Sequence, residues 1–319
     1  MRKLCALLLL AVLALPAFAD DALVLPAGVL RLYAVPVYAW ANKAYDNNGT
    51  AQNIAGPAGA VSISIFNMGF AAEYGVTDWV SAAVQWTPGW YAWSDIAPSG
   101  STAKLNANGV DDIFAGAKIQ IVGDKGLVQN ESFRFAVAPG VKIPLPDVDW
   151  NQQLANIMAS KDATVESLAK HAWGFGARGY FDYVINEMFF VNLYSEFIYY
   201  LDRTGASDIG TYPGTYTINY GYELTLELEP HAQFAITDGI QFGAGLPLTF
   251  VTTPNQKING TEAANTYTNL LSLRPNVSVF FMKFFVPIEI VAQYALPLYG
   301  KNTYAISTFD VELRTYLKF

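Results

Sequence analysis

The stretch that decides the fold is NYGYELTLELEPHAQFAI, residues 219–236. Apolar and polar residues alternate along it: one face has tyrosine, leucine, phenylalanine and isoleucine side chains, and the other includes Glu223, Glu227 and Glu229. A period of two residues is typical of a β-strand. The 17 residues at 220–236 would extend about 56 Å at ~3.3 Å per residue, or roughly 40 Å of height when tilted by ~45°. Since a globular strand usually has about 3–10 residues, the stretch predicts a transmembrane strand with lipid on one side and water on the other.

The composition indicates the same class of protein. Hydrophobic residues make up 52% of the chain and charged residues only 14%, whereas an average globular protein has about 25% charged residues. No apolar run after residue 19 is long enough for a spanning helix, which needs roughly 20 residues. An apolar composition without such runs is typical of a β-barrel. The sequence has no basic patch that would bind nucleic acid.

The same alternation recurs in further segments, each bounded by turn residues. Together they predict an all-β protein, a transmembrane antiparallel up-and-down β-barrel of about twelve strands. The predicted strands are 29–40, 60–74, 79–87, 110–122, 132–143, 172–184, 189–200, 220–236, 240–251, 268–281, 285–298 and 305–319. A slip in the alternation at Phe66-Asn67 predicts a bulge. Prolines inside strands predict further bulges or rims, and they are Pro139, Pro230, Pro247, Pro275, Pro287 and Pro297.

The predicted connections alternate in length, as they do in bacterial barrels with short periplasmic turns and long outer loops. Both termini would then lie at the periplasmic side. The long connections are 41–59, 88–109, 144–171, 201–218, 252–267 and 299–304, and the shorter ones are 75–78, 123–131, 185–188, 237–239 and 282–284. A helical pattern at 151–170 predicts a helix in one outer loop, either a lid over the mouth or a surface feature.

The N-terminus has the pattern of a secretory signal peptide. Arg2 and Lys3 precede an apolar run at 4–15, and PAFA at 16–19 ends in an A-x-A site. The run has 12 residues, too few for a membrane anchor that needs roughly 20. We therefore expect a signal peptide at 1–19 and a single barrel domain at 20–319. With two of the 19 Lys+Arg removed, the mature chain has 17 of them against 27 Asp+Glu, a net charge of −10, and no cysteine.

Three short motifs resemble those of bacterial outer-membrane barrels. YGVTDW at 74–79 is similar to a turn between two of their strands, and YLKF at 316–319, which ends in Phe319, resembles the signal that the outer-membrane assembly machinery recognises. GVDDIFAGAK at 109–118 is similar to a strand motif of the FadL-type hydrophobic-substrate channels and of the related phenol-degradation (MetA-pathway) barrels. DDALVLP at 20–26 differs from the Asn-Pro-Ala opening of the FadL hatch. The resemblance implies a channel in the bacterial outer membrane, with outer-membrane lipids and the assembly machinery as partners.

Residues for catalysis or metal binding are sparse in the sequence. The only histidines are His171 and His231, and no serine motif stands near either, as a Ser-His hydrolase would need. The sequence has no H-E-x-x-H, cysteine pair or EF-hand loop. DNNG at 46–49 is interpreted as a polar surface turn. We therefore expect no enzyme activity, no metal and no cofactor.

Charged residues on the inward faces are the candidate functional residues, because they would line a lumen and set its ion preference. Carboxylates predominate on the 220–236 strand, which favours cations. Three functions stay open: a channel or transporter for small or hydrophobic solutes, a surface-exposed structural or adhesin-type barrel without transport, and a membrane enzyme. A continuous path through the lumen would distinguish the first from the second. The predicted lumen-lining residues are Arg31, Lys118, Arg134, Lys142, Arg178, Glu196, Glu223, Glu227, Glu229, Glu289, Glu312 and Arg314.

Overall fold

The structure, a computed structural model, describes residues 21–54, 61–96, 103–145, 170–207 and 214–319. The predicted signal peptide lies outside these ranges, and so does the predicted helix at 151–170 except for its last residue. No helix within the described ranges is long and apolar enough to cross a membrane. The strands in chain order are β1 (Val29–Ala41), β2 (Lys43–Tyr45), β3 (Ala51–Asn53), β4 (Ile63–Thr77), β5 (Val80–Ile96), β6 (Ala103–Gly109), β7 (Ile113–Val122), β8 (Phe133–Ile143), β9 (Gly174–Val184), β10 (Phe189–Tyr200), β11 (Arg203–Ser207), β12 (Gly214–Asn219), β13 (Tyr222–Thr237), β14 (Ile240–Gly245), β15 (Leu248–Thr253), β16 (Lys257–Ile258), β17 (Thr261–Glu262), β18 (Thr268–Leu273), β19 (Asn276–Phe281), β20 (Ile288–Lys301), β21 (Thr303–Tyr304) and β22 (Ser307–Lys318).

Twelve of these strands form a closed antiparallel barrel in which chain neighbours are paired. The ring is closed by β1 and β22, whose register runs from Val29 opposite Lys318 to Trp40 opposite Ser307. The ring strands are β1, β4, β5, β7, β8, β9, β10, β13, β15, β18, β20 and β22. Two extra strands, β14 and β19, pair with each other and continue β15 and β18 across short interruptions. The predicted twelve-stranded up-and-down barrel is confirmed.

The two ends of the barrel differ in their connections. At the end that we call the short-turn end, the connections are short, and β1 begins and β22 ends there. At the other end, the long-loop end, small additional sheets extend beyond the ring: one is made of β21, β2 and β3, and the other of β11, β12, β16 and β17. This asymmetry agrees with the predicted alternation of short and long connections.

Within the described ranges, five of the six predicted long loops contain strand residues, the exception being 144–171. β5 continues past Pro88 and pairs with β6 inside the predicted loop at 88–109, and β11 pairs with β12 inside the predicted loop at 201–218. Pro88-Gly89 indicates a turn in the sequence, but β4 and β5 accommodate it at a register irregularity between Met68 and Phe70. A bulge needs no ladder hydrogen bond from the proline, so the strand continues. The irregularity predicted at Phe66-Asn67 therefore lies slightly further along β4.

Prolines break two neighbouring strands at the same height of the wall. Pro247 lies between β14 and β15, and Pro275 lies between β18 and β19. The backbone N–H of Arg274 donates to the carbonyl of Pro247 at 2.8 Å, which holds the two strands together at the break. Pro297 lies at a register shift between β18 and β20. The prediction that prolines mark irregularities is thus confirmed at three positions, whereas Pro287 precedes β20 rather than lying inside it. Pro139 and Pro230 lie inside β8 and β13, and each is paired with a neighbouring strand without a register shift.

The outward faces of the ring expose large apolar side chains. On β13, Leu226 and Leu228 are 40% and 47% exposed, while the alternating Glu227 is 2% exposed. Phe309 and Leu313 of β22 are exposed in the same way. An apolar surface of this extent is unfavourable in water, so the outer face of the barrel requires lipid.

Two of the four apolar clusters among the described residues lie toward the long-loop end of the barrel. One packs inward-facing residues of β1 and β4 around Ile63 and Ile65. The other joins Tyr200 and Tyr220 to Phe114. The middle of the interior is instead polar and charged. A further cluster surrounds Ala22, so apolar clusters and charged groups share the inner surface.

Candidate functional site in the barrel interior

The residues predicted to line the lumen all lie on strands of the ring, and none of them is exposed. Their side chains face inward, because their strand neighbours are the exposed apolar residues. The buried members of the set are Arg31, Lys118, Glu196, Glu223, Glu227, Glu229 and Glu312, and the half-buried members are Arg134, Lys142, Arg178, Glu289 and Arg314.

Ion pairs connect many of these side chains across the wall. Arg314 donates to Glu312 at 2.6 Å and lies 3.4 Å from Glu289. Arg31 donates to Glu73 at 2.5 Å. Glu73 was not among the predicted residues, although the register places it directly opposite Arg31. Charge pairing therefore compensates part of the interior charge that the sequence places there.

Arg178 joins three parts of the interior. Its Nε donates to Glu196 Oε2 on the neighbouring strand, and its Nη2 donates to Gln85 Oε1 at 2.8 Å. Its guanidinium carbon lies 3.9 Å from the ring centroid of Phe114, in a cation–π contact. Because Gln85 lies on β5 and Arg178 on β9, these contacts connect non-adjacent strands through the lumen.

A small cavity lies beside this junction. Its volume is about 30 Å³, which is room for about two water molecules. Lys118 and Arg178 contribute positive charge to its wall, and Glu73 contributes negative charge. The lining of this cavity therefore has both signs of charge.

The segment before β1 enters the short-turn end of the barrel. The backbone N–H of Ala22 donates to both carboxylate oxygens of Asp182, at 3.1 and 2.9 Å. Lys118 Nζ donates to the carbonyl of Asp21 at 2.6 Å, and Gln120 Nε2 donates to the carbonyl of Ala22 at 3.1 Å. Ala22 is fully buried. The sequence does not indicate this insertion, because the segment has no periodic pattern.

The inward row of β13 has four polar residues in succession. Lys170 Nζ donates to Glu223 Oε2 at 2.5 Å. Glu227 accepts from Thr249 at 2.5 Å and lies 3.8 Å from Arg274. Thr225 lies between the two glutamates, and its side chain is buried. Among the described residues, both glutamates thus have one engaged and one unengaged carboxylate oxygen.

Asp112, from the GVDDIFAGAK motif, holds together the two sides of the predicted loop at 144–171. Its carboxylate accepts backbone hydrogen bonds from Leu145, at 3.4 Å, and from His171. Nδ1 of His171 in turn contacts the carbonyl of Leu145 at 3.2 Å. Burial raises the pKa of the neighbouring Asp111 carboxyl to about 6. The second aspartate of the motif therefore fixes the loop ends at the mouth of the barrel.

The second histidine lies in a different environment, inside the wall near the short-turn end. Nδ1 of His231 is 3.0 Å from Glu229 Oε1, and its ring stacks on Phe190 with 4.6 Å between centroids. Ser278 lies nearby, with Gly243 between it and the imidazole. This proximity depends on strand register, so no sequence motif could indicate it. No hydrogen bond between Ser278 and His231 is found in the described part of the chain, and the imidazole is held by its contact with Glu229 and by stacking on Phe190.

Possible metal ligands do not converge in the described ranges. No group of three His, Cys, Asp or Glu residues there could hold a metal ion. In the DNNG turn, the Asp46 carboxylate accepts backbone hydrogen bonds from Asn48 and Thr50, both at 2.9 Å. Its oxygens therefore stabilise a polar turn, as its sequence predicts.

Comparison with solved structures identifies the same fold in a known channel. The COG4313 outer membrane channel from Pseudomonas putida F1 matches with a TM-score of 0.63 and 13% sequence identity, over 95% of this chain and 100% of that chain. A Pseudomonas aeruginosa FadL homologue matches with a TM-score of 0.42 and 11% identity, over 92% of this chain and 90% of that chain. The predicted resemblance to outer-membrane channels is confirmed at the level of the fold, for which the first match is the evidence. No protein-family model matches the chain, and no curated protein is significantly similar to it in sequence.

Proposed function

We propose that the protein is an outer-membrane channel through which small or hydrophobic solutes pass along the barrel lumen. The main observation in support is a closed barrel whose outer face is apolar and whose interior is polar and charged. An apolar outer belt places the barrel in a bilayer, and a polar interior can hold water and solute. The mature domain would be 20–319, and we expect no catalytic activity and no cofactor.

A structural barrel without transport is the second candidate function. The observation that favours it is the ion-pair network around Arg178 and Arg314, which connects strands through the interior. Such a network could rigidify the wall of a surface-exposed barrel. The two functions differ in one measurable property, because only a channel conducts ions or solutes.

Conductance of the purified protein in a planar bilayer tests the proposal. We expect discrete conductance steps and a reversal potential that indicates cation preference, since Glu223 and Glu227 lie in the interior. The double variant Glu223→Gln with Glu227→Gln should lower this preference, because Lys170 and Arg274 then lose their counter-charges. A wild-type protein that folds but does not conduct would support the structural alternative. An anion-selective wild type would contradict the expected role of the two glutamates.

Phe319 is the proposed assembly signal. Its side chain is 80% exposed, and its backbone N–H donates to the carbonyl of Gly28 at 2.9 Å. Because the side chain contributes little packing, deletion of Phe319 should lower the amount of protein in the outer membrane while the purified chain still refolds in detergent. The measurement is the heat-modifiable band in isolated outer membranes. Unchanged outer-membrane levels would refute a role in assembly, and Phe285→Ala, at another exposed phenylalanine, serves as the control.

A further inference from the structure

A lysine that lies outside the barrel strands occupies a polar site on the inner face of the barrel wall. Lys170 lies in the connection before β9, and only 8% of its side chain is exposed. Its Nζ donates a 2.5 Å hydrogen bond to Glu223 Oε2 and lies 4.1 Å from the ring centroid of Tyr200. A carboxylate beside an aromatic face is an arrangement by which proteins bind ammonium groups.

Further acceptors on the same row of β13 are not engaged by Lys170. Within the described ranges, no donor reaches Oε1 of Glu223, Oγ1 of Thr225 or Oε1 of Glu227. The three residues are 4%, 4% and 2% exposed. Alternate residues of a strand are about 6.7 Å apart, so these acceptors form a line along the inner wall. An unpaired buried acceptor is unfavourable, and the line therefore favours a molecule that donates hydrogen bonds.

The charge around Glu223 also favours a cation when Lys170 is withdrawn. Asp111 and Asp112 interact electrostatically with the lysines at this end of the barrel. With Lys170 in place, its ammonium and that of Lys142 face three carboxylates. Without Lys170, Lys142 alone among the described lysines interacts with them. The site then lacks positive charge, which a bound ammonium group would restore.

We propose that Glu223, Tyr200 and Thr225 form a binding site for a linear solute with a primary ammonium group, and that Lys170 is the chain's own occupant of this site. Because Lys170 lies in a connection, its side chain can rotate out of the site without any change in a wall strand, while Asp112 still holds the adjacent His171. A second donor group on the solute can reach Thr225 and Glu227. This proposal depends on the proposed channel in one respect, which is that the solute reaches Glu223 through the lumen.

Replacing Lys170 tests the site, because its ammonium group would compete with a bound solute for Glu223. Binding of n-butylammonium to the purified, detergent-solubilised protein is measured by calorimetry at low ionic strength. Lys170→Met should bind about tenfold more tightly than the wild type, which corresponds to a wild-type site that is open about one-tenth of the time. Lys43→Met is the matched control, because Lys43 is exposed on β2 outside the barrel ring, and it should bind as the wild type does. Lys170→Met combined with Glu223→Gln should lose binding.

A quaternary ammonium separates charge from hydrogen bonding. Butyltrimethylammonium has the same charge but no N–H donor, so Lys170→Met should bind it much more weakly than n-butylammonium. Equal binding of the two ions, or no change in affinity in Lys170→Met, would overturn the proposal. If the variant with Glu223→Gln does not fold, the difference in affinity of Lys170→Met for the two ions is sufficient to test the proposal. Conductance is measured on the same preparation: amine binding without conductance refutes the channel and leaves the site, and conductance without amine binding refutes the site and leaves the channel.

Discussion

Arg178→Met is expected to lower the free energy of unfolding by about 3–5 kcal/mol, because it removes one partner of a buried ion pair. Glu196, the carboxylate that accepts from Arg178 Nε, is 3% exposed and would be left buried without its counter-charge. Methionine retains much of the packing volume, so the effect reports mainly the lost charge. The measurement is urea unfolding of the detergent-solubilised protein, followed by tryptophan fluorescence.

Two controls separate this mechanism from a general effect of substitution. Lys283→Met removes a lysine whose nearest carboxylate, on Asp238, is 4.0 Å away, with both side chains largely exposed. Exposed pairs contribute little to stability, so this variant should unfold as the wild type does. Adding Glu196→Gln to Arg178→Met should restore much of the loss, since the unpaired charge is then gone. Equal destabilisation by Lys283→Met and Arg178→Met would contradict the assignment.

Asp182→Ala is expected to increase conductance severalfold, because it releases the segment that occupies the short-turn end of the lumen. Asp182 is 1% exposed, and both of its carboxylate oxygens accept the backbone N–H of Ala22. Without that acceptor, the segment before β1 loses an anchor and the path beside Lys118 widens. A wider polar path lowers the barrier to ion passage. Single-channel recording in planar bilayers measures the change.

Asp182→Asn is the matched variant for this prediction. Its amide oxygen still accepts a hydrogen bond from Ala22, so conductance should stay close to that of the wild type. Asp124→Ala removes a carboxylate from the same end of the barrel, where Asp124 pairs with Arg134 at 3.2 Å, without touching the inserted segment. Should Asp124→Ala raise conductance as much as Asp182→Ala, the effect would be one of charge, and the inserted segment would not obstruct the path.

The sequence predicts the barrel well because lipid and water impose opposite requirements on the two faces of each strand. Glu223 and Leu224 differ in polarity because their side chains point in opposite directions, and this alternation is visible without any tertiary information. The strand count and the inward direction of the charged residues follow from it. The strands that extend beyond the ring at the long-loop end do not follow from this alternation. Pro88-Gly89, for example, has the local signature of a turn whether or not a bulge accommodates it.

The contacts inside the barrel could not be predicted from the same pattern. Glu73 pairs with Arg31 because of strand register, and Arg178 reaches Gln85 because the wall closes on itself. Register and closure are properties of the whole sheet, which alternation along one strand does not determine. The insertion of Ala22 is even harder to predict from the sequence, since a short irregular segment has no periodicity that indicates its position.

The closure of β1 on β22 has a consequence for the order of events during folding. The two strands lie at opposite ends of the described sequence, so the ring remains open until the last strand is in place. The segment around Ala22 is enclosed by that ring and precedes the strand that closes it. Its contact with Asp182 on β9 therefore crosses the interior of the ring that the seam closes. Pairings between strands so distant along the chain form slowly, so we expect closure of the β1–β22 seam to be a slow step in folding of the barrel.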